Sequence, residues 1–216
     1  MPQLTQTTKV DLTRHRIIEA AEEIFALKGF RAMTLRDVTH TAKVNLAAVN
    51  YHFGSKAKLM NAVIQHRFVP INEERMRRLN QLTQKHHPAP IPVSDIFAAL
   101  IEPLYEQAAQ SSHSNQLIRV IARCLTEPAD FMRTMCKEYF SELCTAFTSE
   151  LKRSCPDLSE DELHHRFFFS VSTMLGSIIE QTRLEHISGK PHTNEHLNVI
   201  GQRLVRYVVA GFEQNN

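Results

Sequence analysis

Twelve histidines and four cysteines are the side chains of this 216-residue chain best suited to bind a metal or attack an electrophile. Their spacing serves neither purpose. Cys124, Cys136, Cys144 and Cys155 lie 12, 8 and 11 residues apart, so there is no C-x-x-C pair for zinc or disulfide exchange. His192 and His196 have the i, i+4 spacing of zinc-binding helices. However, His192 stands near a helix start just after Pro191, and no third ligand has a recognisable spacing. His86-His87 and His164-His165 are adjacent pairs, which a helix points to different sides. The chain contains no G-x-S-x-G, H-E-x-x-H or phosphate-loop motif. The expectation is no catalysis, no metal and no cofactor. A different chemistry is available between residues 34 and 56. There Arg36, Lys43 and Lys56 and the amides of Asn45 and Asn50 stand among the capping residues Thr34 and Ser55. Such cations suit phosphates, and such amides suit base edges.

Short helices must position these groups. Ile17, Ala21, Ile24 and Phe25 fall at i, i+4, i+7 and i+8, which predicts a first helix over about 12–28, ended by Gly29. Thr34-Leu-Arg-Asp37 resembles a capping box and opens a second helix over about 35–42. Lys43-Val44 is a tight turn, and Asn45 caps a third helix over about 46–52. Ser55 caps a longer fourth helix over about 56–82, in which Pro70 is expected to cause a kink or break. Three short helices with a tight turn between the second and third are a helix-turn-helix signature. The third helix would enter the major groove with its N-terminal residues against the bases.

With 43% hydrophobic and 22% charged residues the chain is globular rather than disordered, and 6 glycines with 9 prolines exclude a collagenous one. No apolar run reaches the roughly 20 residues of a membrane span, and no apolar segment marks a signal peptide. The expected compartment is the cytoplasm, with reduced thiols. Charge is divided unevenly. Residues 1–85 hold 14 Lys and Arg against 7 Asp and Glu, net +7, whereas residues 86–216 hold 11 against 16, net −5. A basic front half suits a polyanion.

The breaker cluster Lys85–Pro92 is followed by amphipathic segments at about 93–110, 114–125, 128–153, 160–187 and 194–213. The whole reads as an all-α chain of about nine helices. A DNA-binding domain over 1–55 precedes a second domain over 56–216, the fourth helix connecting the two. The last two helices are apolar on more than one face. Phe168, Leu175 and Ile179 lie beside the stripe Leu163, Phe167, Val171, Met174, Ile178. Val205 and Val209 lie beside Leu197, Ile200, Leu204, Val208 and Phe212. Coverage wider than about 100° implies burial on two sides, either against a partner subunit or at the centre of the chain's own domain.

The stretch from Arg14 to Leu59 resembles the DNA-binding domain of the TetR family of one-component transcriptional regulators. The resemblance is carried by I-I-E-A-A-E-E-I-F-A-L-K-G-F at 17–30, M-T-L-R-D-V at 33–38 and V-N-L-A-A-V-N-Y-H-F-G-S-K-A-K-L at 44–59. Two positions depart from the family's habit: Lys43 stands where glycine is usual, and Asn50 where tyrosine is frequent. By position, Thr34, Arg36, Lys43, Tyr51, His52 and Lys56 are candidate phosphate-side residues. Asn45, Leu46, Ala47 and Asn50 are the base-edge candidates, and Val49 and Phe53 belong to the core.

The resemblance further implies a homodimer on a palindromic double-stranded operator, most often as a repressor. The dimer contact would come from the last two helices, with Phe168, Leu175, Ile179, Leu204, Val205 and Val208. A small-molecule effector would enter a pocket lined by Phe97, Ile101, Leu104, Ile118, Ile121, Tyr139, Phe140 and Leu143. Few charges fall on those faces, which favours an apolar or amphipathic ligand. The recognition motif, with S-N-Q-L at 114–117 and M-L-G-S at 174–177, is similar to regulators that sense fatty acids or acyl compounds. No membrane partner is expected, and the fourth helix is the natural lever between the domains. The alternative is a helical regulator that acts mainly through protein contacts and binds DNA weakly and without sequence preference.

Overall fold

The structure, a computed structural model, describes residues 9–110, 114–127, 129–180, 183, 186–187, 189 and 194–213. The side chains of residues 9, 114, 115, 129, 131–133, 135, 136 and 194–196 are not described. Pro128, Pro191, His192 and the side chains of Cys136 and His196 therefore lie outside what is described. Nine helices are described: α1 (Lys9–Ala32), α2 (Leu35–Ala42), α3 (Leu46–Phe53), α4 (Lys56–His86), α5 (Val93–Gln110), α6 (Ser114–Thr126), α7 (Ala129–Ser154), α8 (Glu160–Ile179) and α9 (Asn194–Glu213). There is no strand among the described residues.

The helix ends follow local chemistry. Thr34 and Asp37 close a full capping box on α2: Asp37 N–H donates to Thr34 Oγ1 (3.1 Å), and Thr34 N–H donates to Asp37 Oδ2 (3.0 Å). The Asn45 side chain accepts from Ala48 N–H, and that of Ser55 from Lys58 N–H. The α1 backbone breaks at Gly29 (φ 75°, ψ 171°), and one further helical turn follows instead of a plain end at residue 28. Pro70 does not terminate α4, which runs on to His86. One lost N–H bond is offset by packing, because Phe68, Ile71, Arg75 and Leu79 all bury side chains along the same helix. α8 stops at Ile179, where Glu180 N–H caps Gly176 O at 3.0 Å. Half of its expected extension to 187, residues 181, 182, 184 and 185, lies outside the described residues.

Two packed regions result. In the first, Ile17, Ala21 and Phe25 of α1 are buried with Val38, Val49, Phe53, Leu59 and Val63. In the second, α5 is central. Its Ile96, Phe97, Leu100, Ile101, Leu104, Tyr105 and Ala108 are buried among α4, α6, α7 and α9. Gly201 permits the close approach of α9, since a Cβ there would stand 3.1 Å from Tyr105 Cγ. The Tyr105 hydroxyl continues the link to α8, 2.5 Å from Ser177 Oγ and donating to Met174 O at 3.2 Å. Burial pushes its pKa up to about 12.

The residues expected at a dimer contact fall into three settings within the chain. Leu204, Val205 and Val208 are buried within the chain, because α5 takes up the broad apolar face of α9. Leu175 and Ile179 are half-buried against the same core. Phe168 does face outward, 64% exposed, and with it Phe169 of α8 and Val199 and Tyr207 of α9.

Candidate nucleic-acid interface and effector cavity

In α3, Val49 and Phe53 turn inward while Leu46, Ala47, Asn50 and Tyr51 face out, as a helix requires of residues at i, i+1, i+4 and i+5. Asn45, Leu46, Ala47 and Asn50 thus share one exposed surface with Tyr51, which is 81% exposed. Around it stand Thr34, Arg36 and Lys43, all exposed. Lys43 adopts the left-handed conformation (φ 53°, ψ 48°) that glycine occupies more cheaply. His52 is half-buried, its ring edge-on to Tyr51 at 5.2 Å. The Lys56 ammonium sits 4.6 Å from the centre of the Phe30 ring and 3.4 Å from Arg31 O. A cation at a helix N-terminus is held there by an aromatic face and a carbonyl.

Sequence reading missed Arg16 and Lys28. The Arg16 guanidinium donates to the carbonyls of Ala42 and Lys43, where the last turn of α2 leaves acceptors open. Lys28 Nζ lies 2.9 Å from Asp37 Oδ1. That contact, with the Thr34 hydrogen bonds, holds the Asp37 carboxyl down at about 2. A basic residue on α1 facing a helix end was the available signal.

A cavity of about 450 Å³ lies among α4, α5, α6, α7 and α8. Of the eight expected lining residues, Leu104, Ile121, Phe140 and Leu143 are on its wall. Phe97 and Ile101 are not; they belong to the α5 core, where Phe97 packs edge-on to Phe212 at 5.1 Å. Ile118 is half-buried against that core. The Tyr139 hydroxyl donates to Asn61 Oδ1 (2.7 Å), and its carbonyl accepts from Asn72 (2.8 Å). Phe68, Arg75, Phe167, Val171, Met174 and Leu175 complete much of the wall. The signal for Arg75 was its place on the stripe Phe68, Ile71, Arg75, Leu79, where a charge interrupts an apolar face.

The two regions are joined at two places. Glu22, fully buried on α1, pairs with Arg67 of α4 at 2.5 Å. At the end of α6, Arg123 donates to Ala26 O (3.2 Å) and Leu27 O (2.6 Å), and Glu127 accepts from Phe30 N–H (2.8 Å). The same α6 carries Ile121, Cys124 and Leu125 on the cavity wall. No described helix is long and apolar enough to cross a membrane.

Known proteins share both halves. The family model "Bacterial regulatory proteins, tetR family" matches residues 17–63, and "Tetracyclin repressor-like, C-terminal domain" matches residues 98–211. The HTH-type transcriptional repressor NicS of Pseudomonas putida is 34% identical over 65 residues, 30% of this chain and 31% of NicS. The match thus spans about a third of that relative's length. Among solved structures, the SmeT–triclosan complex superposes with a TM-score of 0.65 at 19% identity, covering 93% of this chain and 91% of SmeT. Bacillus subtilis FadR in complex with stearoyl-CoA gives 0.64 at 13% identity, covering 91% and 98%. These likenesses at low identity show a common fold, and the family models reach the helix-turn-helix and the α5 to α8 side of the cavity. The chain belongs to the TetR family of DNA-binding transcriptional regulators.

Proposed function

We propose that the chain is a repressor that binds a palindromic operator as a two-fold dimer and leaves it when a small apolar or amphipathic ligand fills the cavity. Residues 1–55 form the DNA-reading unit and residues 56–216 the effector and dimerisation unit. Asn45, Leu46, Ala47 and Asn50 read base edges, while Arg36, Lys43, Tyr51, His52 and Lys56, with the α2 end capped by Thr34, address phosphates. A dimer through the outer faces of α8 and α9 would set two α3 helices about 34 Å apart, one turn of DNA. The ligands in the SmeT and FadR complexes, triclosan and stearoyl-CoA, are an apolar and an acyl compound, which supports the same ligand class here.

The observation that carries the reading is the double duty of α6, which walls the cavity and grips the end of α1. A ligand that is bound more tightly by one setting of α6 shifts the population of α1 orientations, and with it the separation of the two α3 helices. α4, the lever expected from sequence, contributes through Phe68 and Arg75 on the wall and Arg67 on Glu22.

The test is selection of genomic fragments by the purified chain at near-physiological salt, with sequencing of what is retained. One recovered palindrome bound by two chains is the expected result. Retention of random fragments with a steep salt dependence would favour a regulator that works mainly through protein contacts.

A further inference from the structure

The arginines of α4 differ in one respect. Arg67 pairs with Glu22, Arg77 with Glu74, and Arg78 with Glu74 and Glu106. Arg75 is more deeply buried than any of these, at 3% exposure, and among the described residues no carboxylate stands against it. Its Nε donates to Leu100 O (2.7 Å), its Nη1 to Asn72 Oδ1 (3.1 Å), and its Nη2 approaches Met174 Sδ (3.6 Å). All three partners are uncharged, sulfur is a weak acceptor, and a guanidinium has five N–H groups to satisfy. A charge buried without a counter-ion is expensive unless a ligand supplies one. Burial lowers the Arg75 pKa to about 10, so the group stays cationic at neutral pH.

Arg75 lies on the cavity wall, otherwise built largely from apolar side chains. Among the described residues no carboxylate lines the cavity; the Cys144 thiol on the same wall acts electrostatically on Arg75, and a further cation there, Lys137, is exposed. We infer that the cavity takes an amphipathic monocarboxylate, its carboxylate on the Arg75 guanidinium and its apolar body against Phe68, Leu104, Phe140 and Phe167. The inference rests on the effector reading above and narrows it to one head group. A planar carboxylate matches the guanidinium fork and supplies the missing counter-charge. The wall, with both phenylalanines and leucines, suits an aliphatic or an aromatic body.

Calorimetric titration of the full chain tests this with decanoate and phenylbutyrate, each against the alcohol of the same skeleton. Both are repeated on Arg75→Met and Lys137→Met. At least one acid is expected to bind about tenfold or more tightly than its alcohol, as a charge-assisted hydrogen bond would give. Which acid does so separates the aliphatic from the aromatic source. Arg75→Met should abolish the preference and keep the alcohol, whereas Lys137→Met should retain the preference for the acid. If Arg75→Met does not fold, Arg75→Lys is the substitute: it keeps the charge without the fork and should retain a reduced preference. Equal binding of acids and alcohols, or a preference lost only in Lys137→Met, would overturn the assignment to Arg75 and leave the effector reading intact. Binding of none of the four probes would overturn the ligand class. The effector reading itself fails only if no small apolar compound releases the chain from its operator.

Discussion

Glu127, just past the end of α6, accepts the backbone N–H of Phe30 at 2.8 Å, so the helix that carries Ile121, Cys124 and Leu125 on the cavity wall also holds the far end of α1. Arg123, one turn earlier, donates to Ala26 O and Leu27 O. Together they engage both a donor and two acceptors freed by the break at Gly29. Glu127→Ala and Arg123→Ala should therefore weaken communication more than either binding event. We expect the ratio of operator affinities without and with ligand to fall about tenfold, near 1.4 kcal/mol of coupling. Fluorescence anisotropy on labelled operator measures it, and an unchanged ratio in both variants would remove α6 from the route.

Gly29 and Lys43 both have positive φ, at 75° and 53°, and opposite substitutions should have opposite effects. A Cβ at Gly29 would lie 2.6 Å from the Glu127 carboxylate and carry the left-handed strain as well. Gly29→Ala is expected to destabilise by about 1–2 kcal/mol. Lys43→Gly should stabilise by roughly 0.5–1 kcal/mol while weakening DNA binding if the lysine meets a phosphate. Urea unfolding gives both signs.

On DNA, Asn50→Ala should change preference among half-site bases, whereas Lys56→Ala should weaken all sequences and flatten the salt slope by about one unit. Loss of the contact between Lys56 and Phe30 adds a small cost in stability, about 0.5–1 kcal/mol. Tyr51→Ala, at an 81% exposed position, should leave the melting temperature alone. Binding curves at several salt concentrations, with thermal melts, separate the three.

Acid should loosen two ion-paired regions. Arg77 and Arg78 hold Glu74 at about 2 against an ordinary 4.5, and Lys28 and Thr34 hold Asp37 at about 2 against 3.8. Both folded values are depressed. Their contribution is therefore complete above about pH 5 and is lost as pH falls toward 2. Glu74→Gln should remove part of the acid sensitivity in that window, at a cost below about 1 kcal/mol near neutrality because the pair is partly solvated. Unfolding free energies across pH 2–6, wild type against variant, check the direction.

For the dimer, the outward residues and the buried ones should separate cleanly. Phe169→Glu with Tyr207→Glu is expected to yield folded monomers with weakened palindrome binding, since both side chains face out. Leu204→Ala should instead lower stability by about 2–4 kcal/mol, as for a core leucine. Sedimentation velocity together with denaturation distinguishes these outcomes.

Much of the DNA-reading end was legible because its information is local. Thr34, Asn45 and Ser55 cap the helices that follow them by hydrogen bonds within three residues. The inward turn of Val49 and Phe53 follows from helical period alone. Pro70 does not break α4, because a proline's local penalty is small beside the packing of a 31-residue helix. Phe97 and Ile101 were apolar on the expected helix, yet helical period cannot say whether an apolar face meets a cavity or a neighbouring helix. Leu204, Val205 and Val208, expected at a dimer contact, are buried within the chain for the same reason: α5 packs against α9.

The sequence by itself determined which segments are helices, where most begin, and which face of α3 is polar, since capping and periodicity act between residues a few positions apart. Only the tertiary structure decided that Arg75 lies without a carboxylate partner beside an apolar cavity, that α6 reaches α1, and which faces of α8 and α9 stay exposed. Those are relations between residues distant in the chain, set by which helices win the competition to bury apolar surface.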